Sequence, residues 1–390
     1  MTDAEREMET KRGSESATEA VVNSSAIIEL PSELLFTIFS RLTLREIVIC
    51  HSVCRLFRQT LTSTSFIPLA SHIPPLPLFI LRPSNHHNHS SSTLYALDPF
   101  RSHQLLRLPL DFMIPFRSKE TTLTPVASSF GLLYLWSNPH SSIIVCNPLT
   151  LRFRFLLMLG SSWSLRHVTV LVGSPGEVVV FNHRSAIYFS QTFGRTSTDL
   201  PYRFRSPILV SDKIFALCDT GLRRQWTLVS GKKPQQFGRP AWETVEFGSW
   251  ERVERHEWKA VFDSLEQPRL IRGRGNNEIL MAGGLRSLQD ATCSTFLILR
   301  LDLDRLEWDE VGRMPKKMFK CFKDSTKLKA FGGGDWVFFS GKCVQRLAMW
   351  NSSSLDWRWL HGVDGRRKSV RKGFLFDASL TSVPWSSTSS

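Results

Sequence analysis

The sequence has no apolar run approaching the roughly 18 residues that a membrane-spanning helix needs. The nearest stretch, residues 73–81, is interrupted by three prolines. Residues 1–29 are polar and hold seven acidic and three basic side chains, so we expect no secretory signal at this end. We predict a protein without a membrane-embedded part.

Cysteine is scarce and shows no regular spacing. The chain has seven cysteines, an odd number, and no two of them form a Cys-x-x-Cys pair. A disulfide framework normally has an even number of cysteines at regular spacings. We therefore predict reduced thiols and a location in the nucleus, the cytoplasm or both.

Motifs of catalysis and of ligand binding are also missing. There is no Gly-x-Ser-x-Gly nucleophile elbow. Three consecutive glycines at 332–334 are followed by Asp335 and Trp336, whereas a phosphate-binding loop would continue with Lys and Ser or Thr. We interpret these glycines as a turn at the end of a strand.

The histidines do not form a metal site that the spacing supports. His256 and the following Glu could begin a zinc-protease helix, but position 260, where the second ligand would stand, is alanine. Residues 258–265 have the apolar spacing of a short helix between strands. The histidines within 86–89 lie in a Ser/Asn/Pro-rich stretch that indicates a loop. We expect no metal, no cofactor and no catalytic residue in this chain.

The clearest pattern that is present, over residues 30–66, predicts three short helices. Pro31 suits a helix start, where the missing N–H costs little, and Thr43 and Glu46 have the spacing of a capping box. The apolar positions of the three helices are Leu34, Leu35, Ile38, Phe39 and Leu42, then Leu44, Ile47 and Val48, then Val53, Leu56 and Phe57. A unit of under about 40 residues cannot bury all this apolar surface alone, so another surface must cover part of it.

This segment, taken as residues 28–68, resembles the F-box. The matching runs are Leu30 to Leu35, Ile38 to Leu42 and Val53 to Arg58. The resemblance implies docking on a Skp-type adaptor and, through it, on a cullin. The implied docking residues are Leu30, Pro31, Leu34, Leu35, Ile38, Phe39, Leu42, Val53 and Phe57. The alternative is an ordinary helical hairpin packed on the rest of the chain.

A spacing of 49 residues recurs in the remaining chain. It separates Gly283-Gly284 from Gly332-Gly333, Trp308 from Trp357, and Asp98-Pro99 from Asn147-Pro148. Turn signals at about 50-residue intervals are typical of a kelch-type β-propeller, so residues 75–385 would hold about six blades, with five or seven still open. We expect the apolar strand from Gly373 to Leu380 to pair into the first blade, because closing the ring removes exposed edges.

The chain as a whole resembles the plant F-box proteins with kelch repeats. The matching segments are residues 130–133, 146–150, 254–258, 281–310, 331–335 and 373–376, together with the F-box. The resemblance implies a mainly β chain in which a small three-helix module precedes the propeller. It also implies a non-catalytic substrate-recognition subunit of a Skp–cullin–F-box ubiquitin ligase, whose propeller holds an unknown protein target.

Charge is distributed unevenly along the chain. Residues 1–29 carry a net charge of −4, so the rest carries +18 against +14 overall, and we expect residues 1–27 to form a disordered acidic arm. Two basic clusters, at 313–329 and 364–372, have net charges of +6 and +4. The residues expected to face an acidic target are Arg313, Lys316, Lys317, Lys320 and Lys323. A second candidate target-facing segment is 254–265.

Other interpretations of the basic clusters stay open. They could be solvated loops between blades or a nuclear-import signal. A rival function is a basic propeller that binds nucleic acid or a transcription factor as a non-degradative cofactor. The clusters lack interleaved aromatic residues on which bases could stack, so nucleic acid is the less favoured partner.

Overall fold

A computed structural model gives the fold of the chain as two compact units, residues 1–74 and 75–390. The described residues are 30–83, 93–101, 105–116, 122–138, 141–165, 168–182, 184–191, 194–219, 226–233, 249–253, 258–275, 277–286, 293–323, 325, 328–342, 344, 346–360 and 371–384. The predicted acidic arm and the histidines at 86–89 lie outside these residues. No helix in the described part is long and apolar enough to span a membrane.

The described part of the first unit contains four short helices, one more than predicted. They are α1 (Ser32–Ser40), α2 (Leu44–Cys50), α3 (Arg55–Leu61) and α4 (Phe66–Leu69). The predicted capping box at the start of α2 is confirmed: the Thr43 N–H donates to Glu46 Oε2 at 2.8 Å, and the Glu46 N–H donates to Thr43 Oγ1 at 3.4 Å. Val53, predicted on the third helix, lies in the turn before it, because Cys54 caps α3 by accepting the Phe57 N–H.

The second unit is built from six four-stranded antiparallel sheets, which we number as blades 1 to 6. Blade 1 contains β1 (Leu76–Pro83), β2 (Thr93–Leu97), β3 (Leu105–Pro109) and the C-terminal β24 (Arg371–Ala378). Blade 2 contains β4 (Thr122–Ser129), β5 (Leu132–Asn138), β6 (Ser142–Asn147) and β7 (Arg152–Met158). Blade 3 contains β8 (Thr169–Val172), β9 (Glu177–Phe181), β10 (Ser185–Ser190) and β11 (Gly194–Asp199).

The remaining strands follow the same order. Blade 4 contains β12 (Phe204–Val210), β13 (Lys213–Asp219), β14 (Trp226–Lys232) and β15 (Trp250–Arg252). Blade 5 contains β16 (Leu265–Arg272), β17 (Glu278–Arg286), β18 (Cys293–Asp302) and β19 (Glu307–Arg313). Blade 6 contains β20 (Leu328–Gly333), β21 (Trp336–Gly341), β22 (Leu347–Asn351) and β23 (Asp356–Leu360). Short helices α5 (Trp258–Ser264) and α6 (Lys316–Phe319) precede β16 and β20, and a 3₁₀ helix (Asp111–Phe116) precedes β4.

The innermost strand of each blade contacts the innermost strands of its two neighbours, and these contacts form a closed ring. The ring runs β24, β4, β8, β12, β16 and β20. The predicted six blades and the predicted closure are confirmed, because β24 pairs with β1 along its length, from Leu76 opposite Ala378 to Pro83 opposite Arg371. The apolar core lies between blades, in clusters that draw residues from adjacent sheets.

The innermost strands β4, β12 and β16 each contain a bulge beside a proline. The register shifts at Pro125, Pro207 and Pro268. Two of these prolines follow a residue with positive φ, Ser206 at 51° and Gln267 at 48°. Proline is tolerated here because one edge of an innermost strand has no partner strand that needs an N–H donor.

The 49-residue spacing reflects a repeated turn between the third and outermost strands. In four blades an Asp or Asn side chain accepts the N–H two residues ahead: Asp98 from Phe100, Asn147 from Leu149, Asp302 from Asp304 and Asn351 from Ser353, at 2.9 to 3.0 Å. The glycine pairs do not occupy equivalent positions. Gly283-Gly284 lies inside β17, the second strand, whereas Gly332-Gly333 ends β20, an innermost strand.

The segment after β24 is fastened to blade 2 by one buried side chain. Asn147 Nδ2 donates to the carbonyl oxygens of Ser379 and Ser382 at 2.9 and 2.7 Å. Gly131, at φ 72°, lies so close that a Cβ there would collide with the Ser382 side chain. The turn residue of blade 2 therefore also secures the closing strand.

Replacing Asn147 by Ala should lower the free energy of unfolding by about 2 to 4 kcal/mol, because two carbonyl groups lose their donor in addition to the lost turn bond. The matched control is Asn351→Ala, which removes an equivalent turn acceptor that has no bond to the C-terminal segment. Urea unfolding followed by tryptophan fluorescence measures both. Equal losses of stability in the two variants would contradict a stabilising role for the contact between Asn147 and the segment after β24.

Candidate docking surfaces

An aromatic cluster holds three of the four described helices of the first unit together. The Phe39 ring meets Phe57 and Phe66 edge-on, with centroids 5.0 and 6.3 Å apart, and Phe36 stacks on Phe66 at 6.0 Å. Leu35 of α1 is also buried. The rings join α1, α3 and α4, so they fix which face of α1 points inward.

The opposite face of α1 exposes apolar side chains. Leu34 and Ile38, four residues apart and therefore on one face of the helix, are 50% and 47% exposed. Val53, in the turn before α3, is 61% exposed. Exposed apolar residues in a row, on a unit this small, are typical of a surface that another protein covers.

The nine residues predicted to dock on an adaptor occupy different environments. Leu34, Ile38, Val53 and Pro31 are exposed. Leu30, Leu42 and Phe57 are half-buried, whereas Leu35 and Phe39 are buried in the core of the unit. Leu34 and Ile38 are therefore accessible at the surface of the unit, whereas Leu35 and Phe39 belong to its interior.

Sequence reasoning missed two exposed apolar residues, Ile49 at the end of α2 and Leu69 at the end of α4. Ile49 was missed because it follows the inward residues Ile47 and Val48 directly in sequence. The i, i+3, i+4 spacing of Leu44, Ile47 and Val48 places Ile49 outside the α2 apolar stripe, and this signal could have identified it.

His51 was also missed, and it is an unusual residue for a core. Its ring is buried and neither ring nitrogen has a hydrogen-bond partner among the described residues. Burial first, and the positive charge of Arg58 second, lower the pKa of His51 from 6.5 to about 4. Arg58 is held close because its Nε donates to the His51 carbonyl oxygen at 3.3 Å. The ring is therefore neutral at physiological pH.

In the propeller, the basic segment that contains α6 has exposed lysines between buried apolar residues. Met318, Phe319 and Phe322 are buried, and Phe296 packs against both phenylalanines. The intervening lysines point outward and are exposed: Lys316, Lys317, Lys320 and Lys323. Lys327 lies outside the described residues.

Arg313 differs from these lysines because its charge is already paired. Its Nε and Nη2 donate to the two carboxylate oxygens of Glu310, each at 2.8 Å. This hydrogen bonding raises the pKa of Arg313 and lowers that of Glu310. Of the five residues predicted to face the target, the four lysines have exposed charges and Arg313 has a bidentate partner.

The two predicted target-facing segments lie on one face of the propeller. Each connects the outermost strand of one blade to the innermost strand of the next, with α5 before β16 and α6 before β20. Strands alternate in direction within an antiparallel blade, so all such connections leave the ring on the same side. Residues 254–257 of the first segment lie outside the described residues.

No group of three or more His, Cys, Asp or Glu residues that could hold a metal occurs in the described ranges. The six cysteines within those ranges are free thiols. A shallow cavity of about 560 Å³ lies beside the turns of blade 5 and is lined by charges of both signs, including Arg274, Glu278 and Asp304.

Comparison with known proteins links the chain to named relatives. The family described as F-box-like matches residues 27–66. SKP1-interacting partner 15 from Arabidopsis thaliana is 44% identical over 93% of this chain and 100% of its own length. F-box only protein 6 from the same plant is 25% identical over 86% of this chain and 69% of its own length. Of the solved structures, a chain of a nidogen/laminin complex matches with 7% identity and a TM-score of 0.47, over 77% of this chain and 97% of that one.

Acidification should destabilise the helical unit through His51. The folded pKa, about 4, is below the unfolded value of 6.5, so the unfolded state binds the proton more readily between these pH values. Stabilisation present above pH 6.5 is lost as the pH falls to 4, by on the order of 3 kcal/mol. Hydrogen–deuterium exchange of residues 44–61, corrected for intrinsic exchange rates, measures this loss.

The matched variant is His51→Leu, which fills the same space without a titrating group. Its protection should depend less on pH over this window than that of the wild type. If both proteins lost protection equally, His51 would not be the group responsible.

Proposed function

The chain belongs to the plant F-box proteins, and from this premise we propose that it is the substrate-recognition subunit of a Skp–cullin–F-box ubiquitin ligase. The observation that carries the proposal is the exposed row of Leu34 and Ile38 on α1, in a module that is otherwise folded around its own aromatic core. A relative matched along its whole length is named as an interacting partner of SKP1. The Skp-type adaptor is the partner whose surface would cover this row.

In this role the chain contributes proximity and no catalysis. The helical module would hold the adaptor and, through it, the cullin and the ubiquitin-conjugating enzyme. The propeller would hold the client, which raises the effective concentration of client lysines near the activated ubiquitin. No catalytic residue of the chain is needed for this mechanism.

The client-binding surface is proposed to lie on the face that carries α6. Lys316 and Lys317 are exposed there on α6, and Lys320 is exposed directly after it, which suits an acidic client. Phe319 and Phe322, the aromatic residues within the same segment, are buried and so offer no platform for base stacking. This supports a protein client over nucleic acid.

Charges introduced into the α1 row should abolish adaptor binding. We expect Leu34→Lys with Ile38→Lys to weaken binding to a purified Skp-type adaptor by about 100-fold or more, because two central apolar contacts are replaced by desolvated charges. Isothermal titration calorimetry measures the affinity.

The matched control places the same substitution at exposed apolar positions of the propeller, Met158→Lys with Leu355→Lys, where the wild-type side chains are 59% and 63% exposed. This control should bind the adaptor normally. Undiminished binding by the α1 variant would refute the docking surface.

Affinity capture from plant cells should separate the two functions of the chain. The double α1 variant should lose adaptor and cullin peptides in the mass spectrum while keeping client peptides, because the propeller is unchanged. A loss of the clients together with the adaptor would show that client capture depends on the assembled ligase and would contradict an autonomous propeller receptor.

A further inference from the structure

The innermost strands of the propeller have an excess of positive charge. The six innermost strands together contain six Lys or Arg residues and two Asp or Glu residues. The cations come from three blades on one side of the ring and from the closing strand: Arg205, Arg269, Arg272, Lys329, Arg371 and Lys372. The same ring could have been built with neutral residues, as β4 and β8 show.

Lys372 lies directly beside a further cation across a strand pair. Arg82 on β1 lies opposite Lys372 on β24, so both side chains project from the same face of the sheet. Like charges in directly opposed positions destabilise a sheet. Arg82 Nη1 donates to the Pro125 carbonyl oxygen at 3.0 Å, which brings its guanidinium to the innermost strand of blade 2.

Arg269 adds a third cation from blade 5. Arg269 lies on the innermost strand of blade 5, close enough to Lys372 on the innermost strand of blade 1 for its positive charge to act on that lysine. Burial lowers the pKa of Lys372 first, and the positive charges of Arg82 and Arg269 lower it further. The pKa of Arg269 is also lowered, by burial and then by Arg205.

This cationic cluster, defined as Arg82, Arg269 and Lys372, is not neutralised by the described part of the chain. Arg269 and Lys372 have no hydrogen-bond or ion-pair partner there. Asp377, the acidic residue of β24, interacts with Arg272 instead. All three cluster residues keep partial solvent exposure, so an ion can reach them.

We propose that the cationic cluster is a binding site for a phosphate monoester, held in the central channel by two guanidinium groups and one ammonium group. A phosphate monoester carries a charge of about −1.5 to −2 and three acceptor oxygens, which matches three converging cations better than a single carboxylate does. Guanidinium groups bind such oxyanions in a bidentate manner.

The site opens toward the α6 face, because Lys372 lies near the start of its innermost strand, where the connection from the outermost strand enters. The exposed lysines of α6 would attract an anion to that face. The phosphate could belong to a free small molecule or to a phosphorylated residue of a client. The second source rests on the proposed function, whereas the site itself does not.

The test uses the full chain and inorganic phosphate at constant ionic strength, with chloride and glutamate as comparison anions. Phosphate should raise the melting temperature of the wild type more than either comparison anion. The variant Arg269→Gln with Lys372→Gln should weaken phosphate binding by at least about tenfold. Without phosphate, the same variant should melt higher than the wild type, since unpaired like charges have been removed.

The matched control is Lys213→Gln with Lys232→Gln, two exposed lysines that lie opposite each other on β13 and β14. It removes the same charge away from the innermost strands and should leave the phosphate affinity within about twofold. Lys372→Arg should retain binding. The proposal would be overturned if the control lost as much phosphate affinity as the channel variant, or if glutamate raised the melting temperature as much as phosphate does. It would also be overturned if the channel variant melted below the wild type in phosphate-free buffer.

The source of the phosphate is decided with a phosphoserine peptide and its unphosphorylated counterpart. Tighter binding of the phosphopeptide than of inorganic phosphate would identify a client residue, and equal binding would identify a free phosphate compound. Both results support the site. If neither the phosphopeptide nor inorganic phosphate binds, the site is refuted. Adaptor affinity, measured in parallel, should be unchanged in the channel variant, so this test can fail without affecting the proposed ligase role.

Discussion

The pairing of β24 with β1 is the interaction on which the propeller depends. It joins the last strand of the chain to the first in eight aligned residue pairs, and it supplies blade 1 with its innermost strand. Without it, β1 would keep an unpaired edge, and the ring of innermost strands would open between β20 and β4. The bond network of Asn147 to the segment after β24 reinforces the same junction from blade 2.

The helical unit has the opposite character, because its fold leaves apolar surface open. On α1 the adjacent residues Leu34 and Leu35 have different environments: Leu34 is half-exposed, and Leu35 is buried. Burial of Leu35 fixes the orientation of α1, and Leu34 is exposed on the same helix. A docking surface supported in this way loses little conformational entropy on binding.

Features that depend on neighbouring residues could be predicted from the sequence, whereas features that depend on contacts between distant residues could be predicted only in part. The capping box at Thr43 and the turn at Asn147 depend on residues two or three positions apart, so their spacing predicted them correctly. Gly332 and Gly283 share the 49-residue spacing but occupy different strands, because loop lengths shift the register between blades. Lys372 looked like part of a surface cluster, since only the closure of the ring, a contact across the whole propeller sequence, brings it to the channel.

The position of the closing strand in the chain has a consequence for biosynthesis. A ribosome makes the helical unit first and must translate residue 378 before blade 1 can be completed. N-terminal units fold as they emerge, so the proposed adaptor surface on α1 would form while the ring is still open. A truncated product would therefore combine a competent front unit with exposed strand edges, and such a chain is suited to recognition by the cell's protein quality control.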